Sequence, residues 1–409
     1  MKITLGKFGP KHCDLPTMFD NVSFFLHLVS VNIDKNNTKR ISILSYILVA
    51  CTTICYVYIY IFSMIWFVFI RCRQTGDITA AAVVFSLGTN SETWATRLTF
   101  MILFKETVQD MVQKYLECDS KVTRGTRFHI NLHKGLVNIK KRVMMAWGFF
   151  VGLGISYVAQ PLLTPGRHFA EDLYVVYGLE PMFESPNYEI ALISESVSVS
   201  VCIFILANIT AFIVLIIGYI EAQMLALSDE LLNLWDDGVK YYQDTKGLIV
   251  STNENLKIKI INEHISYRLR EIITFHITNI TLLKQFDRIF RITLAIEFAL
   301  IIVGIVAELL GRLENTYIEL PYTFIQMYID CLIGQRLIDA SNVFEKAVYN
   351  CKWENFDKAN MKTVLLLLQN SQKPLTLTAG GLTNLDFVCL MSVVKSTYSF
   401  YTTLRSRVG

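Results

Sequence analysis

Few residues in this chain stand at spacings that could do chemistry, and most of those have a plainer reading. His129 and His133 are four apart, as two zinc ligands on one helix face would be, but no third ligand lies nearby and no His-Glu-x-x-His run occurs. They read as solvated residues of a polar loop. Gly152 and Gly154 form a bare Gly-x-Gly inside an apolar run with no strand before it, which excludes a dinucleotide site and points to close helix packing. The nine cysteines show no metal-ligand spacing, and six of them (Cys51, Cys55, Cys202, Cys331, Cys351 and Cys389) lie in or beside apolar segments as small packing residues. All seven histidines fall outside the apolar segments, so no membrane-embedded His/Asp or Ser/His pair is available for catalysis. The expectation is a non-enzyme with no cofactor and no metal. What stands out instead is charge inside apolar segments: Glu297, Asp330, Arg336 and Asp386. An unpaired charge in hydrocarbon costs at least about 2.5–3.5 kcal/mol, so these either serve function or pair between helices, and pairing is the favoured reading. Glu92 and Glu195 fall nearer an interface.

The elements that must hold these residues follow from composition. Of 409 residues, 53% are hydrophobic and only 18% charged, and the apolar residues come in long blocks rather than at core periodicity. A formal charge of +3 and the lack of a basic cluster interleaved with aromatics set nucleic acid aside. Three blocks without any charge span a bilayer: 41–70, 143–166 and 196–220. Four more carry isolated charges: 78–104, 292–310, 320–344 and 375–404. The reading is an all-α polytopic membrane protein with seven transmembrane helices. Residues 1–40 are polar and lack a signal-peptide core, so the amino terminus is expected intact, with the first span as targeting signal.

Orientation follows from lysine and arginine, which are retained on the cytoplasmic side. The amino-terminal tail and the second-to-third, fourth-to-fifth and sixth-to-seventh loops hold 29 of them against 6 on the other side. The amino terminus is therefore expected inside and the carboxyl terminus outside. The outer loop 161–189 agrees, with Arg167 against Glu171, Asp172, Glu180, Glu184 and Glu189. This orientation, and the absence of cysteine from that loop, argue against a G-protein-coupled receptor. The sequons at Asn21 and Asn36 fall in the tail placed inside and are read as chance matches.

Residues 1–40 thus form a cytoplasmic segment and 41–220 hold spans one to four, with an inner loop 105–142 and the outer loop 161–189. Loop 221–291 is too long for a connector. Ile265, Leu269, Ile272, Ile273, His276, Ile280, Leu283 and Phe290 recur there at helical spacing, so the fifth span begins well inside the cytoplasm, in a cytoplasmic helical anchor bundle. Spans five and six occupy 292–345. A short cytoplasmic helix over 360–372, within 346–373, ends before Pro374, and Gly380-Gly381 allows a bend before the last span in 374–409.

That last region resembles the insect odorant receptor family. The likeness is carried by Tyr349, Trp353, Leu365 to Gln369, the run Lys373-Pro374-Leu375-Thr376-Leu377-Thr378-Ala379-Gly380-Gly381, then Lys395-Ser396-Thr397-Tyr398-Ser399 and Leu404-Arg405-Ser406. The gustatory branch ends its last helix with Thr-Tyr, an apolar stretch and Gln-Phe. Thr397 and Tyr398 fit that pattern, but Leu404 and Arg405 stand where Gln and Phe would, which favours the odorant branch. A transporter would show paired broken helices in two repeats, and no internal repeat is found.

The resemblance implies an odorant receptor subunit of a ligand-gated, non-selective cation channel, gated by a small volatile ligand, in the plasma membrane of a sensory neuron dendrite. It implies a heterotetramer with a common co-receptor, joined through the cytoplasmic helices, with four last helices around one pore. Val394, Thr397, Tyr401 and Leu404 share one face of that helix at spacings of 3, 4 and 3, with Arg405 at its outer end. Tyr401 is the expected gate, where the family carries a smaller aliphatic residue. An odorant pocket must be concave, mostly apolar and open to the outside. The outer halves of spans two, three, four and six would supply it: Val84 and Phe85, Phe150, Leu153 and Tyr157, Ile193 and Val197, and Tyr322 with Gln326 as the polar pair.

Overall fold

A computed structural model describes residues 12–35, 43–245, 254–312 and 314–408. The sequon at Asn36 lies outside them, and that at Asn21 sits in a helix whose Val22 and Ser23 are buried. The chain is a bundle of eleven helices among the described residues. In order these are α1 (Leu15–Leu28), α2 (Ile43–Thr75), α3 (Ile78–Leu103), α4 (Lys105–Ser120), α5 (Arg127–Leu163), α6 (Asn187–Leu232), α7 (Leu234–Thr245), α8 (Glu254–Leu310), α9 (Glu319–Tyr349), α10 (Lys358–Ser371) and α11 (Phe387–Val408). α2, α5, α6 and α8 are each long and apolar enough to cross a membrane. α3, α9 and α11 carry more polar residues and pack against them.

Lengths explain the two-storey plan. The 57 residues of α8 run about 85 Å at 1.5 Å per residue, far more than a hydrocarbon core of about 30 Å. Its first half must therefore project, and it buries Ile265, Leu269, Ile272, His276, Leu283 and Phe290 in a lower bundle. Local caps set where these helices begin: Asp77 accepts the Ala80 N–H at 2.9 Å, and Asp357 accepts that of Asn360 at 2.8 Å. α6 is apolar all round, which only a central helix tolerates, and it is buried continuously from Ile205 to Ala222.

Two expectations change. The segment 105–142, read as an inner loop, is helical through α4 and the lower part of α5. α4 buries Val108, Met111, Val112, Tyr115 and Cys118 at three- and four-residue steps, a stripe masked in the sequence by the charges between them. The last span does not begin at Leu375. Thr378–Ala379 and Thr383–Asn384 form a two-stranded hairpin whose turn places Gly380 and Gly381 at φ of 62° and 73°, and α11 starts only at Phe387 with the Asp386 carboxylate accepting the Cys389 N–H at 2.7 Å. Asp386 is thus a cap, and Arg336 is exposed. Of the two glycines in α5, Gly154 is the packing residue, since a Cβ there would meet Ile203 at 2.9 Å, whereas Gly152 faces open space.

At the centre of the bundle one guanidinium joins four helices. Arg97 of α3, fully buried, donates from Nε and Nη2 to both oxygens of Glu297 on α8 at 2.7 and 2.6 Å. Nη2 also reaches Asp330 Oδ2 of α9 at 2.8 Å, and Nη1 donates to Thr210 Oγ1 of α6 at 2.6 Å. Gln326 of α9 donates to the same Glu297 carboxylate. Glu297 and Asp330 are therefore an ion-paired set, and their partner is Arg97, an isolated charge of the 78–104 segment whose pairing the sequence does not reveal.

The loop between α5 and α6 folds over α2. Tyr174 Oη donates to the Ile59 carbonyl at 2.5 Å, inside a π-helical stretch of α2 (Val57–Ser63), and Tyr177 packs edge-on against Phe62 and Trp66. Glu171 is buried in this loop, and burial pushes its carboxyl up to about 7, with Asp172 adding to the rise and the Leu173 N–H opposing it. His168, hydrogen-bonded to Asp172 at 2.7 Å, is raised by that bond.

Removing Arg97 while leaving two buried carboxylates should cost about 3–5 kcal/mol. Arg97→Met is expected to lose most folded protein by size-exclusion chromatography after mild heating, and Arg97→Met with Glu297→Gln and Asp330→Asn to regain part of it. For the loop, a carboxyl and an imidazole whose folded pKa values are both raised give stability that is complete at low pH and lost as pH rises through those values. Hydrogen exchange over residues 168–184, corrected for its intrinsic pH dependence, should be slower at pH 5.5 than at pH 8. Glu171→Gln should remove the Glu171 share of that difference; an unchanged profile would contradict it.

Candidate ligand-binding site

Five helices line a partly open cavity of about 90 Å³. α2 contributes Tyr60, α3 contributes Leu87, Asn90, Ser91 and Trp94, α5 contributes Leu153 and Tyr157, and α6 contributes Val199, Cys202 and Ile203. Ile318 with Glu319 and Tyr322 of α9 closes it. Positions 87, 90, 91 and 94 recur at steps of three and four, so one face of α3 forms one wall. That wall is braced from behind by aromatics: Tyr56 lies edge-on to Trp94 at 4.8 Å and stacks on Tyr60 at 5.8 Å, and its hydroxyl donates to Glu92 at 2.8 Å.

The cavity is apolar with a few polar groups. Ser86 Oγ donates to Glu319 Oε2 at 2.9 Å, and Asn90 Nδ2 donates to Glu308 of α8 at 2.7 Å, as does Thr323 Oγ1 at 2.6 Å. Tyr157 Oη donates to Glu195 at 3.3 Å. Among the described residues Tyr60 Oη and Trp94 Nε1 are buried with no hydrogen-bond partner. A buried polar atom without a partner costs about 1–3 kcal/mol, and an occupant offering polar groups would satisfy both.

Of the residues expected from sequence, Leu153, Tyr157 and Tyr322 line the cavity. Phe150 is buried behind it and meets Tyr322 edge-on at 5.8 Å. Val84 and Phe85 line a separate space between α2 and α3, and Phe85 also borders an apolar groove on the bundle's flank. Ile193 and Val197 are 62% and 40% exposed on the outside of α6, because the cavity face of that helix is Val199, Cys202 and Ile203, about 200° round from Val197 at 100° per residue. Gln326 is not a cavity residue: it is 1% exposed and held by Glu297. Tyr60, Asn90, Trp94 and Glu319 are additions.

The last helix is placed differently from the expectation of an open pore stripe. Thr397 is 3% exposed and its hydroxyl donates to the Val393 and Val394 carbonyls, while Val394, Tyr401 and Leu404 are half-buried against their own bundle. The open side carries Val388, Met391, Lys395, Tyr398 and Thr402. Arg405 donates to Tyr401 Oη at 2.9 Å and lies over that ring. His129 and His133 stack at 6.4 Å on α5 beside a cavity of about 650 Å³ in the lower bundle, also lined by Asp14, Asp119 and Arg124; among the described residues no group of three metal-binding side chains forms.

A long-helix bundle, a buried ion-paired centre and an aromatic cavity between its helices define a polytopic membrane receptor. The chain belongs to the odorant receptor family: the family profile described as 7tm Odorant receptor matches residues 77–398. It is similar to odorant receptor 30a of Drosophila melanogaster, 25% identical over 62% of this chain, and to putative odorant receptor 85d of the same species, 25% identical over 34%. The matches span 64% and 35% of those relatives' own lengths. Its fold matches the insect olfactory receptor OR5 from Machilis hrabei, with a TM-score of 0.73 and 14% identity over 95% of this chain and 98% of that one. The same receptor in complex with eugenol matches with a TM-score of 0.72 over 96% and 98%.

The separation of Tyr322 from Gln326 is directly measurable. Gln326→Leu strands part of the Glu297 carboxylate and should lower stability by about 1–3 kcal/mol, whereas Tyr322→Phe should leave it within about 0.5 kcal/mol. Thermal unfolding of the two purified variants distinguishes them, and equal losses would place Tyr322 in the ion-paired centre instead.

Proposed function

We propose that this chain is the ligand-recognising subunit of a non-selective cation channel opened by a small volatile compound, and that it works with a common co-receptor. The observation that carries this is the aromatic-walled, partly open cavity between α2, α3, α5, α6 and α9 in a chain of the odorant receptor family. The eugenol complex of the structurally similar receptor supports a small organic ligand in the same kind of fold. On this reading the chain crosses the plasma membrane of a sensory dendrite seven times, with its amino terminus inside, as the 29 to 6 distribution of basic residues demands. The divisions set out above then assign the cavity to the outer half and the projecting half of α8 to a cytoplasmic anchor.

Two features favour assembly with other subunits. In the lower bundle Tyr349, Leu365 and Leu366 are 55–62% exposed, an apolar surface of the kind partners cover. In the upper bundle α11 is held on one side only. Under this proposal α11 lines the shared pore, with Val394, Thr397, Tyr401 and Leu404 on the side that packs on its own subunit and Arg405 at the outer mouth. Four such arginines in one ring would oppose cation entry, whereas one among co-receptor subunits opposes it far less. Co-expression with a co-receptor should therefore give volatile-evoked cation current, and the chain alone should give little or none. Robust current from the chain alone would refute the heteromer, and silence of the co-expressed pair across a broad volatile panel, with both proteins at the surface, would refute the channel reading.

A further inference from the structure

We propose that the cavity between α2, α3, α5, α6 and α9 selects a compact ligand bearing a protonated amine, with Glu319 as the group that recognises its charge and Tyr60, Trp94, Tyr157 and Tyr322 as the walls around it. This rests on the reading of that cavity as the ligand site. The four aromatic side chains and one carboxylic side chain line the space together, and no lysine, arginine or histidine does. An ammonium gains from aromatic faces through their quadrupole, most of all when desolvated, and such walls with an acidic group are the arrangement that recognises organic cations.

Glu319 has the remaining capacity to do this. It is 8% exposed, the neutral Ser86 hydroxyl donates to one of its oxygens, and among the described residues no ion pair engages it. This contrasts with Asp330, three turns deeper along α9, and with Glu297 of α8, whose charges Arg97 already answers. A carboxylate can accept about four hydrogen bonds, and an ammonium beside it favours the ionised form, so an amine that takes up the Glu319 proton would find both a countercharge and open lone pairs. Tyr60 Oη, buried without a partner, gives a second acceptor for the same N–H groups. The Trp94 N–H, also unpartnered, leaves room for an oxygen on the ligand. Glu308 and Glu195 flank the site, each hydrogen-bonded by neutral side chains and, among the described residues, paired with no basic group. A ligand carboxylate would enter against all three acids.

Size narrows the class. A cavity of about 90 Å³ is smaller than the roughly 150 Å³ that holds benzene, so a ligand of about four non-hydrogen atoms is the largest that enters without displacing the walls.

The test uses three ligands of one chain length, propylamine, propan-1-ol and propanoate, on the full chain. Thermal unfolding of the purified protein and current from cells carrying the co-receptor are both read. The amine is expected to bind at least about tenfold more tightly than the alcohol, and the carboxylate not at all. Glu319→Gln should weaken the amine about ten- to a hundredfold and leave the alcohol within about threefold. An alcohol or carboxylate equal to the amine on the unaltered chain would overturn the proposal whether or not the variant folds, and so would an amine preference that survives Glu319→Gln. Stabilisation by the amine without current would sink the channel reading alone, and volatile-evoked current without amine preference would sink this inference alone.

Discussion

A single guanidinium in a nearly dry interior fixes how the membrane helices of this receptor stand against each other. Arg97 has five N–H groups, and the acceptors that meet them come from α6, α8 and α9. A buried charge is tolerated only with its partners in good geometry, so sliding any of these helices by one residue would turn Thr210, Glu297 or Asp330 away and expose the cost. Hydrophobic contact alone would not impose that precision, because apolar helices in an apolar solvent can slide with little penalty. The network is thus a register lock, and it also accounts for two acids lying within contact of one base.

From the lock a polar ladder climbs towards the cavity, one helical turn at a time. On α3 the rungs are Arg97, Thr93, Asn90 and Ser86; on α9 they are Asp330, Gln326, Thr323 and Glu319; on α8, Glu297 and Glu308. Both stripes step by four, three and four, which keeps each on one helix face. Tyr322 sits beside this ladder on α9, one turn from Gln326, with Phe150 against its edge and the cavity on its other side. A ligand that presses on Tyr322 therefore presses on a helix whose next turns hold the lock. Ligands shift conformations only through contacts that differ between states, and the ladder provides a set of contacts able to differ.

Much of the fold was legible in the sequence because long apolar blocks, helical stripes and basic-residue asymmetry are signals of whole segments. The projecting half of α8 came from eight residues at helical spacing, and the glycine-proline punctuation before α11 marked the break there. What was illegible depended on rotation about a helix axis. Ile193 and Val197 lie in a run of apolar and small residues broken only by Glu195, and one charge does not tell one face of α6 from the other. Gln326 was assigned to the cavity because a polar residue one turn from Tyr322 fits two faces, and only Glu297 on another helix decides between them. The four-three-four polar stripes of α3 and α9 were the signal that would have found Arg97 and Glu319 together, since two such stripes at equal steps in apolar helices call for polar partners on neighbouring helices.

The last helix shows the limit of the same logic from the opposite side. α11 is pinned by Val393 and Thr397 against its own bundle, and its free side mixes Val388, Met391 and Tyr398 with Lys395, Ser399 and Thr402. A side facing only lipid would be apolar throughout, and a side facing only the subunit's interior would be packed. The mixture suits a helix whose environment changes around its circumference, lipid or a neighbouring subunit on one flank and water on another. Under the proposed channel reading, that makes α11 the element least determined by this chain alone. It carries none of the rungs of the ladder, and its start at the Asp386 cap is anchored on α9, where Phe387 stacks on Tyr328 and its N–H donates to Gln335. A helix anchored at one end and open along one side can tilt about that end, which is the property a gate requires and the core helices, locked by Arg97, do not have.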